Sequence, residues 1–417
     1  MFRRLLVPVF LASVLRSAFP CAPDPFAEID RHADNAPGSA EKSVKSLSRY
    51  LVRPAKNDEE KARAIFRWVA RNISYDTRGY FTGNAGPSSP NSVLQNRTAV
   101  CEGFSGLFKS LGREAGLEIE TIGGYAKGYD SSVGERFSGP PNHAWNAVRI
   151  NGTWRLMDAT WGSGYMDENG RYLRSFNGFF FFTPPEKLIY THFPENPEWQ
   201  LLPQKVTLGE FEKMAFLRPG FFQNGLELDS HQSSDIECAD TVRVTLRAQA
   251  ETMLLAQLIR NGGDLGSDLT FVQKDGRRAI ILAAFPSTGT YILRIFARPK
   301  SEKGMADWVM DYRIRNRGRG GETPVFPETY QDFLDRDVFL EGPVRGRLKA
   351  GKSFRFSVRI PGAEKAAVST GKRWVELKKS GQWFRGDVKA AKGEIFVYAK
   401  FPRMRKYSGL LKYTGTR

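Results

Sequence analysis

Residues 142–162 read NHAWNAVRINGTWRLMDATWG and decide how this part of the chain folds. At the centre, Asn151-Gly152 is the strongest short signal for a β-hairpin turn, and apolar-rich stretches flank it on both sides. With a two-residue loop, Ile150 pairs with Thr153, and every further pair is found by stepping outward one residue on each strand. The sequence therefore predicts two antiparallel strands in a defined register.

This register brings two chemically useful side chains together. Trp145 faces Asp158, and His143 lies on the same face as Trp145 because strand side chains alternate with a period of two. His143 and Asp158 become diagonal neighbours, about 7–8 Å apart between Cα atoms and within side-chain reach. A carboxylate there can hold the imidazole tautomer and stabilise the imidazolium, although a bulge in either strand would break this argument.

A cysteine stands at the start of a helical pattern upstream of the hairpin. Residues 100–104 read VCEGF, and the next apolar side chains recur at helical spacing on one face. A free thiol has a pKa of about 8.5, and both a helix N-terminus and a nearby imidazolium lower it. We therefore predict a helix that begins at or near Cys101 and activates its thiol.

Together these residues suggest acyl-transfer chemistry, with Cys101 as nucleophile, His143 as base and Asp158 as the group that orients the base. The backbone N–H of Cys101 or Glu102 is a candidate donor to the oxyanion, and so is the side chain of Gln95, whose alternative is an exposed loop amide. Taken singly, each of these residues has a structural alternative, such as a buried thiol, a core histidine or a helix cap.

No cofactor or metal is expected. The chain has 4 His and 3 Cys with no cluster at ligand spacing, which argues against a zinc site. His192 and His231 lack comparable partners in the sequence and are interpreted as structural.

The N-terminus resembles a secretory leader over residues 1–22, because two arginines precede a short apolar run. The sequence therefore predicts export to a periplasmic, cell-surface or secreted location, with a mis-assigned start or an inert apolar leader as the alternative. Cys21 is removed, lipidated or free, and Cys238 is interpreted as a buried thiol. No stretch approaches the ~20 apolar residues of a membrane-spanning helix, so none is expected in the mature form.

The chain is basic, with a net charge of +17. Residues 323–417 hold 21 Lys and Arg against 9 Asp and Glu, a net charge of +12. Such a region attracts anionic surfaces or polymers, although a solvated basic surface is the simpler interpretation. The absence of a basic helix or zinc-finger spacing argues against nucleic-acid binding.

The pattern along the chain predicts a catalytic domain over residues 24–205, a β-sandwich module over 222–317 and a basic β-sandwich module over 323–417. Each module is about 95 residues long, the size of an immunoglobulin-like sandwich, and consists of short runs in which apolar and polar residues alternate. A Gly/Arg linker separates the two modules. One large β domain is the alternative. The first helical pattern covers Phe26 to Leu51, the second follows Asn57, and loops are expected at residues 79–91 and 128–141.

The same residues carry a family resemblance. The stretch from Lys61 to Leu202 resembles the transglutaminase-like superfamily and, within it, the kyphoscoliosis-peptidase (hillarin-like) group. Motif order and spacing agree as well as composition. The matching segments are residues 65–69, 72–76, 93–94 with 97, 100–104, 124–128, 142–148, 154 with 156, 158 and 160–162, 179–182, 185–186, 188–189, 192–194 and 199–202.

This resemblance implies an α+β fold with a papain-like core, in which the helix bearing Cys101 packs on an antiparallel sheet bearing His143 and Asp158. It also implies peptidase or protein-glutamine acyl-transfer chemistry without a cofactor, followed by immunoglobulin-like β-sandwiches. The apparent leader departs from the cytoskeletal animal members, which puts a muscle or cytoskeletal role in doubt.

The sequence thus predicts an exported cysteine enzyme that acts on protein or peptide amides, most simply a peptidase. Two alternatives stay open. One is a cross-linking acyltransferase, because the sequence does not say whether water or an amine completes the reaction. The other is a non-catalytic surface scaffold that binds through its β modules.

Overall fold

A computed structural model describes residues 24–128, 131–167, 169–318 and 325–417. The chain divides into two compact units: residues 1–121 with 146–177, and residues 122–145 with 178–417. The division passes through two strands, so each of these strands contributes residues to both units. The predicted leader with Cys21, and most of the predicted Gly/Arg linker, lie outside the described residues.

The first unit contains the longer helices. They are α1 (Ala27–Asp34), α2 (Val44–Leu51), α3 (Asp58–Asn72), α4 (Thr77–Thr82), α5 (Pro90–Asn96), α6 (Cys101–Glu114) and α7 (Ala159–Ser163). The second unit contains the short helices α8 (Pro185–Leu188), α9 (Leu208–Lys213), α10 (Pro219–Gln223) and α11 (Gln331–Asp335).

The strands of the predicted catalytic domain are short. They are β1 (Ser74–Tyr75), β2 (Thr98–Ala99), β3 (Ile119–Ala126), β4 (His143–Ile150), β5 (Thr153–Met157), β6 (Gly164–Met166), β7 (Tyr172–Arg174), β8 (Phe181–Thr183) and β9 (His192–Pro194).

The predicted hairpin is confirmed in register over five pairs. Strands β4 and β5 are antiparallel, with Ile150 opposite Thr153 and Asn146 opposite Met157. Asn151 and Gly152 have φ angles of 50° and 80°, as a two-residue turn of the type that suits strand twist requires. β5 ends at Met157, so the pairing of Trp145 with Asp158 stays a prediction.

The helix predicted after Asn57 is confirmed as α3, because the Asn57 side chain accepts a hydrogen bond from the Glu60 backbone N–H at 2.9 Å. The single helical pattern over Phe26 to Leu51 is wrong in one respect, because two α-helices, α1 and α2, occupy it. The second begins where Ser43 and Ser46 form a capping box, which is a strong local start signal. Likewise, the loop predicted over residues 79–91 contains part of α4 and the start of α5.

Two β-sandwiches follow in the second unit. The strands of the first are β10 (Phe216–Leu217), β11 (Glu227–Leu228), β12 (Asp235–Cys238), β13 (Thr241–Arg247), β14 (Thr252–Arg260), β15 (Gly263–Asp264), β16 (Thr270–Asp275), β17 (Arg278–Ala284), β18 (Gly289–Pro299) and β19 (Asp307–Asn316). The strands of the second are β20 (Glu328–Thr329), β21 (Phe339–Gly342), β22 (Arg347–Lys349), β23 (Ser353–Arg359), β24 (Lys365–Thr370), β25 (Arg373–Glu376), β26 (Lys378–Ser380), β27 (Trp383–Lys389), β28 (Gly393–Lys400) and β29 (Ser408–Thr416).

The second sandwich repeats the first strand by strand. One sheet has the order β10-β19-β18-β14-β15 with β12 parallel to β19, and its counterpart has the order β20-β29-β28-β24-β25 with β22 parallel to β29. The facing sheets have the orders β11-β13-β17-β16 and β21-β23-β27-β26. The predicted pair of β-sandwich modules is therefore confirmed as an internal repeat.

The predicted domain bounds 24–205, 222–317 and 323–417 stay predictions. Strand β10 precedes residue 222 and still pairs with β19 in the first sandwich. In the part of the chain that the structure describes, no helix is long and apolar enough to cross a membrane.

Candidate active site

Cys101 is the first residue of α6, as the sequence predicts. Its side chain is partly buried, and the cysteine is free. The first N–H groups of a helix have no intrahelical partner, and the aligned peptide dipoles give this end a partial positive charge. The thiol therefore lies at the end of α6 that carries this partial positive charge.

The segment that leads into Cys101 is fixed by short-range contacts. The N–H of Ser74 donates to Arg97 O at 2.8 Å, and the N–H of Asp76 donates to Ala99 O at 2.9 Å, so β1 and β2 run side by side. Arg97 takes the left-handed conformation that ends α5, with φ 58°, and its guanidinium forms a 2.7 Å ion pair with Glu41. These contacts set the position of the chain just before the cysteine.

Gly103 permits α6 to approach this segment closely. A Cβ atom at Gly103 would lie 2.6 Å from Ala99 Cβ and 3.0 Å from Val93 Cγ2. Such distances are shorter than carbon atoms tolerate, so this turn of the helix requires glycine. Close packing of the helix that carries the thiol therefore explains why glycine follows Cys101-Glu102 in the motif.

A buried amide joins the cysteine helix to the hairpin. Asn146 in β4 donates from Nδ2 to Ser105 O at 3.2 Å and to Glu120 O at 3.2 Å. Asn146 is 1% exposed, and Ser105 lies one turn after Cys101 in α6. Asn146 therefore attaches its part of β4 to α6.

Asp158 is buried, with 1% exposure, and caps α7. Its Oδ1 accepts hydrogen bonds from the N–H groups of Thr160 at 2.8 Å and Trp161 at 3.1 Å. The capping role, one of the structural alternatives for this residue, is confirmed. These two donors also hold the carboxylate in one orientation.

His143 is the first residue of β4 and is 9% exposed. The neighbouring Asn142 positions it, because the Asn142 side chain forms two hydrogen bonds with the backbone of Ala126, Ala126 N to Oδ1 at 2.7 Å and Nδ2 to Ala126 O at 3.1 Å. The N–H of Asn142 also donates to Gly124 O at 3.1 Å. The start of β4, where His143 lies, is thereby attached to β3.

His192 is the residue that the sequence analysis missed. Its ring lies 5.3 Å from the His143 ring and 5.1 Å from the Trp145 ring, measured between centroids, and its Nδ1 is 2.8 Å from Thr191 Oγ1. The interpretation that it lacks partners is therefore wrong. Strand β9 pairs with β3, with His192 opposite Ala126, and a pairing across such a sequence separation leaves no local pattern.

One nitrogen of His143 and one of His192 lie within 4.8 Å of each other. Two imidazole nitrogens within this distance could ligate one metal ion, depending on their tautomers. The expectation that the chain holds no metal or cofactor stays a prediction.

The two oxyanion candidates differ in position. Glu102 is the second residue of α6, so its backbone N–H precedes the hydrogen bond that the Gly103 N–H donates to Val100 O at 2.9 Å. Gln95 lies near the end of α5 with an exposed side chain, in a helix rather than the predicted loop. Both roles stay predictions.

The other described thiol differs from Cys101 in its surroundings. Cys238 ends β12, and burial, with a further contribution from Asp240, raises its pKa to about 11. The Cys238 side chain is partly buried, so the prediction of a buried thiol is only partly correct.

Comparison with known proteins identifies two domains. Residues 45–159 match the model of the transglutaminase-like superfamily, and this range contains Cys101, His143 and Asp158. Residues 208–327 match the model of the KY-like, immunoglobulin-like domain. The resemblance and the α+β fold class predicted from the sequence are both confirmed.

Three known proteins are similar to this chain over part of their length. The chain is 31% identical to kyphoscoliosis peptidase of Mus musculus over 70% of its own length and 43% of that protein. It is 28% identical to hillarin of Drosophila melanogaster over 67% of its length and 38% of that protein. It is 26% identical to cytokinesis protein 3 of Schizosaccharomyces pombe over 43% of its length and 20% of that protein. The chain spans less than half the length of these relatives.

These relatives contradict the predicted export. Kyphoscoliosis peptidase, hillarin and cytokinesis protein 3 are cytoplasmic or cytoskeleton-associated proteins. The prediction rested on a short apolar run after two arginines, a pattern that composition alone can produce. The doubt about a cytoskeletal role loses its basis with it.

Proposed function

We propose that the transglutaminase-like domain of this chain, which precedes a KY-like immunoglobulin-like domain, is a cysteine-nucleophile enzyme that acts on protein or peptide amides. Cys101 is the nucleophile, His143 the general base and acid, and Asp158 the residue that orients His143. We propose that water completes the reaction by hydrolysing the acyl-enzyme, so that the enzyme is a peptidase. The observation that carries the proposal is the position of Cys101 as the first residue of α6.

The chemistry takes two steps. His143 accepts the thiol proton of Cys101, and the thiolate attacks the amide carbonyl carbon. His143 then gives the proton to the leaving amine, the C–N bond breaks and an acyl-thioester remains on Cys101. Water, deprotonated by His143, attacks the thioester and releases the acid and the thiol. The first N–H groups of α6 stabilise the oxyanion in both steps.

The contacts of Asn146 and Asp158 support this assignment. Asn146 holds β4 against α6, and Asp158 directly follows β5, which pairs with β4 in the predicted register. Because side chains alternate along a strand, Asn146 fixes the position of the strand but not the direction of the His143 ring. A chemical test is therefore required.

The test is the rate of iodoacetamide alkylation at Cys101 against pH, read by peptide mass spectrometry in the parent protein and in His143→Ala. An activated thiol reacts at pH values well below the free-thiol pKa of about 8.5, and loss of the imidazole moves the profile to higher pH. Cys238 is the internal control in the same sample. Burial raises its pKa to about 11, so it is expected to stay nearly unlabelled at neutral pH.

The proposal is overturned if Cys101 and Cys238 label alike, or if His143→Ala leaves the Cys101 profile unchanged while the protein stays folded. Such a result would favour the scaffold alternative. A positive result is followed by casein cleavage with and without a primary amine such as cadaverine. Incorporation of the amine in place of cleavage would identify an acyltransferase rather than a peptidase.

A further inference from the structure

We propose that the outer face of the β20-β29-β28-β24-β25 sheet, in the second sandwich, binds an acidic segment of a partner protein that carries aromatic side chains. The proposal does not depend on the catalytic role of Cys101. It rests on an aromatic cluster on this face and on two exposed basic loops beside it. We call the four clustered side chains Trp374, Phe396, Tyr398 and Tyr407 the aromatic face.

The strand register places these side chains on the outside of the sandwich. In β28, the alternate residues Ile395, Val397 and Ala399 are buried in the core, so Phe396 and Tyr398 lie on the opposite side. Cross-strand pairing continues the row, with Phe396 opposite Ser369 and Ser369 opposite Trp374. The aromatic face thus crosses three adjacent strands.

The rings of the aromatic face pack on one another and leave an exposed apolar surface. Trp374 stacks on Tyr398 at 5.4 Å between centroids, with 24° between the ring planes, and meets Tyr407 edge-to-face at 5.0 Å. Phe396 lies 5.7 Å from Tyr398. Trp374 nevertheless stays 48% exposed. A half-exposed tryptophan held rigidly by its neighbours is the type of residue that dominates binding at protein interfaces.

Two basic loops flank the aromatic face. Lys372 and Arg373 lie in the turn before and at the start of β25, and Arg403, Arg405 and Lys406 lie between β28 and β29. All five side chains are exposed. Among the described residues, none of these five cations forms an ion pair. They are therefore available to an anionic partner, and the charge complementarity selects an acidic one.

The ring arrangement favours a protein segment over single-stranded nucleic acid. Nucleic-acid platforms present open ring faces on which successive bases stack, whereas Trp374 and Tyr398 cover each other. Tyrosine hydroxyl groups can hydrogen-bond to peptide carbonyls, and the apolar rings can pack against partner aromatic side chains.

The test measures fluorescence anisotropy of the full chain with a fluorescein-labelled random copolymer of glutamate and tyrosine. Binding is expected to weaken about tenfold or more in Trp374→Ala, because it removes the centre of the aromatic face. The double variant R373E/R405E is expected to weaken binding and to reduce its dependence on salt, since it reverses two exposed charges. These charge changes lie on the surface, so they do not put folding at risk.

Met305→Ala and Lys303→Glu are the matched controls, because both residues are exposed in the first sandwich and Met305 is 93% exposed. Neither change should alter binding. The proposal is overturned if the copolymer does not bind, or if Trp374→Ala binds as the folded parent does. Tighter binding of polyglutamate, oligouridylate or phosphatidylserine vesicles than of the copolymer would also overturn it, because it would assign the basic loops to a partner other than an acidic protein segment with aromatic side chains.

Discussion

The imidazole rings of His143 and His192 lie 5.3 Å apart between centroids, at an interplanar angle of 58°. They reach this separation from two strands that are distant in sequence, β4 and β9. His192 is 1% exposed and its Nδ1 is 2.8 Å from Thr191 Oγ1, so its own ring is held in place. We expect it to hold the ring of His143 in turn, as a positioning residue for the proposed base.

The first prediction concerns this pair. His192→Phe should slow alkylation of Cys101 by between about tenfold and a hundredfold, because a small displacement of the His143 ring is costly to the reaction. His192→Gln, which can keep a hydrogen bond to Thr191, should recover part of the rate. His231→Phe, in the first sandwich, is the control. If His192→Gln and His192→Phe lose the same rate and the same stability, His192 has only a packing role.

The second prediction concerns the amide that joins helix and strand. Asn146→Ala removes the hydrogen bonds to Ser105 O and Glu120 O and should lower the free energy of unfolding by about 1–3 kcal/mol, measured by urea titration. Asn35→Ala is the control, because its amide donates to Arg31 O at 2.7 Å on an exposed surface and should change stability by less than about 0.5 kcal/mol. Equal effects of the two changes would show that Asn146 contributes nothing beyond a surface hydrogen bond.

The third prediction concerns pH. Burial lowers the pKa of Lys127 from 10.5 to about 8, and its ammonium donates to Phe211 O at 2.7 Å. Because the folded-state pKa is the lower one, the unfolded chain binds more protons between pH 8 and 10.5, and the free energy of unfolding rises with pH through that window. The contribution is up to about 3 kcal/mol.

Urea titrations of the parent and of Lys127→Met at pH 7.5 and pH 10.5 isolate this contribution, because other titrating groups cancel in the difference. The parent should gain stability relative to the variant at the higher pH. Lys303→Met, at an exposed position, should show no such change. A difference between parent and Lys127→Met that does not vary with pH would contradict the assignment.

The sequence predicts the hairpin and the cysteine helix well because both are local. Asn151-Gly152 sets a turn and thereby the register of β4 and β5, and the apolar spacing after Cys101 sets the α6 pattern. His192 was missed because its proximity to His143 depends on the pairing of β3 with β9. The role of Asn146 is not predictable from the sequence, since its hydrogen bonds to Ser105 O and Glu120 O arise from packing that no periodicity encodes. The predicted export failed because an apolar run carries little information about destination.

The last prediction compares two glycines in the helix that bears Cys101. Gly103→Ala should destabilise the protein by about 1–3 kcal/mol, because its Cβ would lie 2.6 Å from Ala99 Cβ and force the helix away from the preceding segment. Gly106→Ala should stabilise it by about 0.5–1 kcal/mol, because its Cβ would meet only Ser88 O at 4.0 Å and alanine restricts the unfolded chain.

The two changes are chemically identical and lie one turn apart, so opposite shifts of the thermal midpoint would isolate the close approach at Gly103. Alkylation of Cys101 should slow only in Gly103→Ala, because only that change displaces the start of α6. Equal behaviour of the two variants would mean that the packing around Gly103 relaxes freely. It would also remove the packing argument for glycine two residues after the nucleophile.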